Sequence, residues 1–139
     1  MPDVFICHSS KDFDIAMKLV ENLESGGLDC WIAPRNITPG SDWAASISSA
    51  LTATKVFLVV FSRNSRDSEQ CARELGIAET LKGVTVVPYR IDNAELTGSY
   101  QYYLTSAHWV IADNKKKDYK YTELINFISE CVGKKPKSA

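Results

Sequence analysis

The sequence lacks the features that define several classes of protein. Its four cysteines form no CxxC pair and its two histidines have no metal-ligand spacing, so no metal site and no dithiol redox site is predicted. The longest apolar run, Val56 to Phe61, is far too short to cross a bilayer, and the first residues lack a basic and apolar signal. We therefore expect a cytoplasmic domain that has no membrane segment and keeps its cysteines as small buried thiols.

The chain also lacks an excess of charge of either sign. Sixteen Lys and Arg residues stand against seventeen Asp and Glu residues, which gives a net charge of -1. Nucleic-acid-binding domains normally carry a basic face, so no nucleic-acid partner is expected. The basic residues cluster in two places, at 115–117 and after 133. We interpret the first as a solvated loop, and we place a domain boundary at 133 with a basic tail or linker over 134–139.

The common nucleotide and catalytic motifs are absent as well. The sequence contains no GxGxxG, no GxxxxGK[ST] and no GxSxG, which argues against a classical dinucleotide fold, a phosphate-binding P-loop and a nucleophile elbow. The third apolar strand ends in Phe61-Ser62, where a phospho-accepting receiver domain needs an aspartate. The order of the elements and the side chains at their ends are therefore the remaining indications of function.

Apolar runs and amphipathic stretches do alternate along the chain. The predicted strands are Val4–Cys7, Leu28–Ile32, Val56–Phe61, Val84–Ile91 and Ala107–Ile111, and the predicted helices are 11–25, 42–53, 68–81 and 119–132. The segment 92–105 is predicted to be irregular. This alternation predicts an α/β fold, a flavodoxin-like three-layer sandwich with a five-stranded parallel sheet of order 2-1-3-4-5 and helices on both faces.

Small polar residues follow the first strand, where ligands bind in folds of this class. His8, Ser9 and Ser10 come directly after the strand and before the first helix. In open α/β sheets, ligands bind outside the carboxyl ends of the strands, beside strand one. The alternative is purely local, because Ser9 can cap the helix and Asp12 can complete a capping box. Both interpretations stay open on these residues alone.

Taken together, the segments resemble a Toll/interleukin-1 receptor (TIR) domain, in particular the bacterial NAD-cleaving type. "DVFICHSSKD" resembles the strand that opens such domains, and "CWIAPRNITPGSDW" resembles their second strand and the long BB loop, here residues 33–42. "KVFLVVFSRNS" is similar to the third strand, and "SEQCARELGIA" to the helix that carries the glutamate of TIR domains that cleave NAD. "VVPYRID" and "SAHWV" resemble the last two strands.

The resemblance implies an NAD+ nucleosidase with NAD+ as substrate and no cofactor or metal. It assigns Glu74 as the catalytic residue, although the residues around it, Arg73 and Leu75, suggest by themselves a solvated helix position. The residues that it places at the substrate pocket are His8, Ser9, Ser10, Arg35, Ile37 and Trp43. The family often has a tryptophan four residues before its glutamate, and Gln70 stands there in this sequence.

Cleavage of NAD+ requires only one catalytic carboxylate. Cleavage of the nicotinamide bond passes through an oxocarbenium-like state, and a carboxylate beside the ribose stabilises the growing charge. The nicotinamide nitrogen is cationic before cleavage and leaves neutral, so no general acid is required. Water then gives ADP-ribose, whereas capture by the ligand's own atoms gives a cyclic product. The sequence does not indicate whether the linear or the cyclic product forms.

The three tryptophans are the aromatic candidates for the pocket. Trp31 and Trp109 lie within predicted strands and are interpreted as core residues. Trp43 begins a helix directly after the BB loop, with Ile47 one turn on, and pocket and core remain equal alternatives for it.

A second reading of the same segments is a non-catalytic adaptor. Many TIR domains act by self-association, and the BB loop offers an interface in which Ile37 is expected to be exposed. Its members are Pro34, Arg35, Asn36, Ile37 and Thr38. Head-to-tail contacts of this kind can grow into a filament. The resemblance also implies a bacterial immune role and a fused or separate sensor domain, and a nucleoside-processing transferase of related topology is a third possibility.

Overall fold

The structure is a computed structural model that describes residues 2–113 and 115–137. Its five strands are β1 (Val4–Cys7), β2 (Cys30–Ile32), β3 (Val56–Phe61), β4 (Thr85–Arg90) and β5 (Val110–Ile111). All four pairings are parallel, and the order is β2-β1-β3-β4-β5. The predicted fold class and strand order are confirmed. Residues 1, 114, 138 and 139, which include part of the predicted tail, lie outside the described residues.

Helices cover both faces of this sheet. They are α1 (Phe13–Ser25), α2 (Trp43–Ala53), α3 (Arg63–Arg66), α4 (Glu69–Thr80), α5 (Gly98–Leu104) and α6 (Tyr121–Val132). One apolar cluster joins α1 and α6 to the sheet, and a second joins α2, α4 and α5 to the opposite face. Residues along β3 alternate between the two clusters, so this strand is buried on both sides, as its unbroken apolar run predicts.

Two local predictions are wrong. The segment expected to be irregular contains α5, which buries Tyr100 and Leu104. This helix is only seven residues long and begins at a glycine, so it has no strong start signal. The second concerns the capping box, because the Asp12 carboxylate does not return to Ser9. It instead accepts hydrogen bonds from the Ser62 hydroxyl at 2.5 Å and the Asn64 amide at 2.9 Å.

Residues after Gly133 remain in contact with the domain as far as they are described. The Lys134 ammonium lies 2.5 Å from the buried Asp3 carboxylate, and the Lys137 backbone N–H donates to the Gly26 carbonyl. Cys131 on α6 is exposed, which corrects the expectation of four buried thiols, while the other three cysteines are buried. Among the described residues, no helix is long and apolar enough to cross a bilayer.

Candidate active site

A cleft of about 300 Å³ opens at the carboxyl edge of the sheet, next to β1. Four segments contribute most of its polar and aromatic walls: the turn after β1, the start of the BB loop, the start of α2, and the first half of α4 with its N-cap. The residues from these segments are His8, Ser9, Ser10, Pro34, Trp43, Ser68, Gln70 and Glu74. Parallel strands end at one edge, which is why segments distant in sequence meet here.

Glu74 is the carboxylate of this cleft. Its residue surface is only 7% exposed, so the interpretation of a solvated helix position is wrong. The helix explains the error, because Glu74 occupies a position on the same face of α4 as the buried Cys71, Leu75 and Ala78. A carboxylate placed where an apolar side chain would fit is costly to fold, and such a position indicates a functional group.

The surroundings set the ionisation of Glu74. Burial raises the pKa of its carboxyl above the ordinary value, and the Gln70 amide, which donates to Glu74 Oε2 at 3.0 Å, opposes that rise. The Cys7 thiol and the positive charge of Arg73 also oppose it. Hydrogen-bond donors and the charge of Arg73 therefore offset part of the cost of desolvating this carboxylate.

Two cysteines lie beneath the carboxylate. Cys7, the last residue of β1, is fully buried, and its thiol faces the Cys71 carbonyl at 3.9 Å. Burial raises the pKa of the Cys7 thiol well above its ordinary value, so this group is a neutral donor toward its neighbours. The buried Cys7 thiol thus adjoins the Glu74 carboxyl from the interior of the domain, although neither cysteine lines the cleft itself.

His8 joins the turn after β1 to the BB loop. Its Nε2 lies 2.9 Å from the Ala33 carbonyl oxygen, and its Nδ1 lies 2.9 Å from the carbonyl oxygen of Ser9. A neutral ring has one N–H and donates to one of them, whereas a doubly protonated ring donates to both. The link to the BB loop needs a proton on Nε2, and a ring that carries it holds the strand end and the loop start together at the mouth of the cleft.

Ser9 and Ser10 line the same mouth. The Ser9 hydroxyl accepts a hydrogen bond from the Lys11 backbone N–H at 3.2 Å and caps a 3-10 turn over Ser10–Asp12. The cap is therefore confirmed, and because this residue also borders the cleft, its part in substrate binding stays a prediction. Ser10 is exposed.

Arg35 does not reach the cleft. Its guanidinium forms a two-pronged ion pair with Glu24 on α1, with both N–O distances at 2.9 Å, and also donates to the Cys30 carbonyl. Asn36 holds the same turn, because its side-chain oxygen accepts from the Ile32 backbone N–H at 3.0 Å. The structure thus assigns these two residues to fastening the BB loop onto α1 and β2.

Ile37 is 7% exposed, so the expectation that it projects from the BB loop is wrong. It is also not among the residues that line the cleft. The physical reason is the turn that begins at Pro34, whose carbonyl accepts from the Ile37 backbone N–H and folds the side chain inward. Pro34, by contrast, does border the cleft, and Thr38 is exposed.

Trp43 is the most accessible aromatic at the site. It is 51% exposed at the start of α2 and lines the cleft, which favours the pocket over the core alternative for this residue. Trp31, expected in the core, is half-buried, stacks on Phe5 with ring centroids 4.9 Å apart, and forms part of the cleft floor. Trp109, also expected in the core, is half-buried too and packs edge-to-face with Phe61, with ring centroids 5.5 Å apart.

Two residues of the cleft were not predicted from the sequence. Ser68 caps α4 by accepting from the Cys71 backbone N–H at 3.2 Å, and it borders the cleft. Gln70 holds the Glu74 carboxylate, although from sequence it stands out only as a missing tryptophan. A serine before an amphipathic run and a Gln–Glu pair four residues apart are the signals that identify these roles.

The fold and cleft define a class: a doubly wound parallel α/β domain with one buried carboxylate at the ligand-binding edge of the sheet. The family model described as TIR domain matches residues 4–125. The chain therefore belongs to the TIR domain family, as its sequence segments suggest.

Similar proteins support the assignment. A protein of Brachypodium distachyon named "Probable 2' cyclic ADP-D-ribose synthase BdTIR" is 31% identical over 97 residues, which covers 68% of this chain and 43% of that protein. The TIR domain of the Toll-related receptor TRR-2 of Hydra magnipapillata superimposes with a TM-score of 0.77 at 23% identity, and 92% of this chain and 98% of that one are covered. A TIR-STING receptor of C. gigas, in complex with 2',3'-cGAMP, superimposes with a TM-score of 0.72 at 17% identity over 99% of this chain and 42% of that one.

The two structural likenesses show the fold. The chain spans less than half the length of the Brachypodium distachyon protein that it matches.

Proposed function

We propose that this TIR domain is an NADase: an NAD+ nucleosidase that releases nicotinamide and forms ADP-ribose or a cyclic isomer of it. The observation that carries the proposal is the buried Glu74 carboxylate at the cleft. A domain that acts only as a scaffold has no need of a desolvated carboxylate at its ligand-binding edge. The name of the Brachypodium distachyon relative is in accord with this chemistry.

The residues of the cleft have separate parts in the reaction. Glu74 faces the ribose, where its negative charge stabilises the cation that forms as the C1′–N bond lengthens. The Gln70 amide holds the carboxylate in one orientation, so no reorientation is needed when charge develops. Trp43 offers an aromatic face, which is favourable for the cationic pyridinium ring before cleavage. His8 and Ser9 shape the mouth around the remaining polar groups.

Removal of the Glu74 charge tests the proposal. Release of nicotinamide from NAD+ is measured at high protein concentration or with the chains tethered into clusters. The Glu74→Gln variant keeps the size of the side chain, and it is expected to lose roughly a thousandfold in rate, corresponding to ~4 kcal/mol of transition-state stabilisation. Glu79→Gln, an exposed glutamate on the same helix, serves as the matched control. Equal turnover by wild type and Glu74→Gln contradicts the catalytic assignment.

Self-association is the second part of the proposal. Pro34, Arg35, Asn36 and Thr38 are exposed in the BB loop, whereas Ile37 is buried. Because the Arg35 and Asn36 side chains are engaged by Glu24 and Ile32, Pro34 and Thr38 are the contacts that this conformation offers to a second copy. Thr38→Arg is expected to reduce the association measured by light scattering, with Thr80→Arg, an exposed threonine on α4, as control. If the two variants associate equally, the BB loop is not part of the interface. The adaptor function corresponds to association without cleavage.

The cytoplasmic location remains an expectation from the composition of the sequence. The bacterial antiphage role and the fused or separate sensor domain remain expectations that come from the resemblance. Nicotinamide release that depends on clustering agrees with a domain that a sensor brings together. Free nucleosides are included as substrates in the same assay, because their cleavage points to the transferase alternative.

A further inference from the structure

A second cavity continues from the cleft, along the groove between α2 and α4. Its volume is also about 300 Å³, at the lower end of the range for small-molecule sites. Trp43, Gln70 and Glu74 line both cavities, so Glu74 stands where the two meet. The reaction as proposed uses only the first cavity, and the second has no assigned occupant.

The walls of this groove are apolar. Trp43, Ile47 and Leu51 lie one and two turns apart along α2, and Ile77 faces them from α4. Ile77 is 44% exposed and Trp43 is 51% exposed, so two large apolar side chains on neighbouring helices meet the solvent at one groove. Exposed apolar side chains gathered around a concave site indicate a ring or an apolar group that covers them.

A cation stands at the rim of the groove. Arg73 lies on α4 next to Glu74, is exposed, and forms no ion pair or side-chain hydrogen bond within the residues that the structure describes. A guanidinium in this position repels a pyridinium ring and attracts a diphosphate. The groove therefore suits a neutral aromatic ring that is joined to an anionic group.

We propose that the groove between α2 and α4 is the binding subsite for the adenosine half of the dinucleotide. The purine lies against Ile47, Leu51 and Ile77, and the diphosphate meets Arg73. This inference rests on the proposed function, because it takes NAD+ as the ligand. The nicotinamide riboside then occupies the first cavity with its C1′ at Glu74.

The arrangement has a consequence for the product. Ile77 follows Glu74 by three residues, a rise of about 4.5 Å along the helix. A purine in the groove is therefore close to the reacting carbon, and the dinucleotide is folded rather than extended. When the C1′–N bond breaks, both of its electrons leave with nicotinamide. A lone pair of the adenosine half then attacks C1′, and a hydroxyl that attacks gives up its proton to the Glu74 carboxylate or to solvent. The product is a cyclic ADP-ribose.

Filling the groove tests the subsite. Ser48 lines it and is exposed, whereas its neighbour Ser49 is exposed on the same helix and does not line it. Ser48→Trp places an indole in the groove, and Ser49→Trp carries the same change outside it. The probe is ADP, which has the adenosine and the diphosphate and lacks the reacting bond, and its binding is followed by titration calorimetry or ligand-detected NMR.

We expect wild type and Ser49→Trp to bind ADP alike, and Ser48→Trp to bind it about tenfold more weakly or worse. Equal ADP affinity of the two tryptophan variants overturns the subsite, and so does a wild type that does not bind ADP. With NAD+ as substrate, the ratio of cyclic to linear product is expected to fall in Ser48→Trp alone. A wild type that forms only linear ADP-ribose overturns the folded arrangement.

The two proposals fail separately. If wild type releases no nicotinamide when clustered, the proposed function is wrong, whatever the ADP titration shows. If nicotinamide is released but both tryptophan variants bind ADP equally, the proposed function stands and the adenosine subsite is wrong.

Discussion

The Gln70 side-chain amide donates a hydrogen bond to Glu74 Oε2 at 3.0 Å, across one turn of α4. Gln70 stands where TIR domains of the NAD-cleaving type often have tryptophan, so this chain has replaced an aromatic surface with a group that holds the carboxylate. Trp43, on the facing helix, is left as the exposed aromatic of the cleft.

Loss of the Gln70 amide is expected to change the pH dependence of NAD+ cleavage. Burial raises the pKa of Glu74, and the Gln70 hydrogen bond lowers it in part. In the proposed reaction cleavage requires the ionised carboxylate, so activity is expected to fall as the pH drops through a pKa higher than that of an ordinary glutamate. In Gln70→Ala the acid limb of kcat/KM is expected to move to still higher pH. An acid limb that coincides with that of Gln101→Ala, a surface glutamine on α5, contradicts the positioning role.

Neutralising Glu74 is expected to stabilise the fold at neutral pH. Because its pKa is raised in the folded state, the folded chain binds more protons than the unfolded chain between the two pKa values. The free energy of unfolding therefore falls as the pH rises through this window, and the ionised carboxylate destabilises the fold above it. Glu74→Gln should have a higher Tm than wild type at pH 7.5, and the difference should shrink below the folded-state pKa. A lower Tm for Glu74→Gln at pH 7.5 contradicts this account.

The ion pair between Arg35 and Glu24 is expected to contribute modestly to stability. Its geometry is two-pronged, but both side chains are about one-third exposed, so water screens their charges. A double-mutant cycle with Arg35→Ala and Glu24→Ala, followed by urea unfolding, should give a coupling energy of about 0.5–1 kcal/mol. The coupling should decrease in 1 M salt. A coupling that salt leaves unchanged indicates that packing, rather than charge, fastens the BB loop.

Ile37 is expected to anchor the BB loop by burial. Truncation to alanine should lower the free energy of unfolding by about 2 kcal/mol, because the side chain is 7% exposed and the loop is held by backbone turns that cannot collapse around the gap. Thr38→Ala, at the adjacent exposed position, should change it by less than about 0.5 kcal/mol. Equal urea midpoints for the two variants show that Ile37 is not an anchor.

Asp12 is expected to join the turn before α1 to the turn after β3. Its carboxylate accepts from the Ser62 hydroxyl and the Asn64 amide, and Ser62 is buried. Asp12→Ala leaves the Ser62 hydroxyl without this acceptor, so the free energy of unfolding should fall by about 1–3 kcal/mol. Asp14→Ala, an exposed aspartate on α1, is the control. A loss no greater than that of the control contradicts the contact.

The sequence by itself determined the layers of the fold and the position of the site. An unbroken apolar run such as Val56–Phe61 is typical of a central parallel strand, because such a strand is buried on both faces. Strands that alternate with amphipathic helices bury their apolar surface by forming a parallel sheet with helices on both faces. The strand order and the edge that carries His8 and Ser9 follow from these local patterns, because right-handed crossovers leave little freedom. Glu74 was assigned by the family resemblance, since its local pattern indicated a solvated helix position. The short, tyrosine-rich helix α5 was not predicted, because the helical pattern of its sequence is weak.

Only the tertiary structure decided what individual side chains contact. Ile37 and Glu74 were interpreted as exposed from the sequence, and Arg35 was placed at the pocket. In the structure Ile37 lies in the interior of the BB loop, Glu74 lies in the cleft beside Cys7, and Arg35 pairs with Glu24. Local periodicity reports which face of an element is apolar, but the direction of a loop side chain depends on which distant element packs against it. Local sequence patterns do not predict the groove beside Glu74 either, since it exists only where α2 and α4 come together.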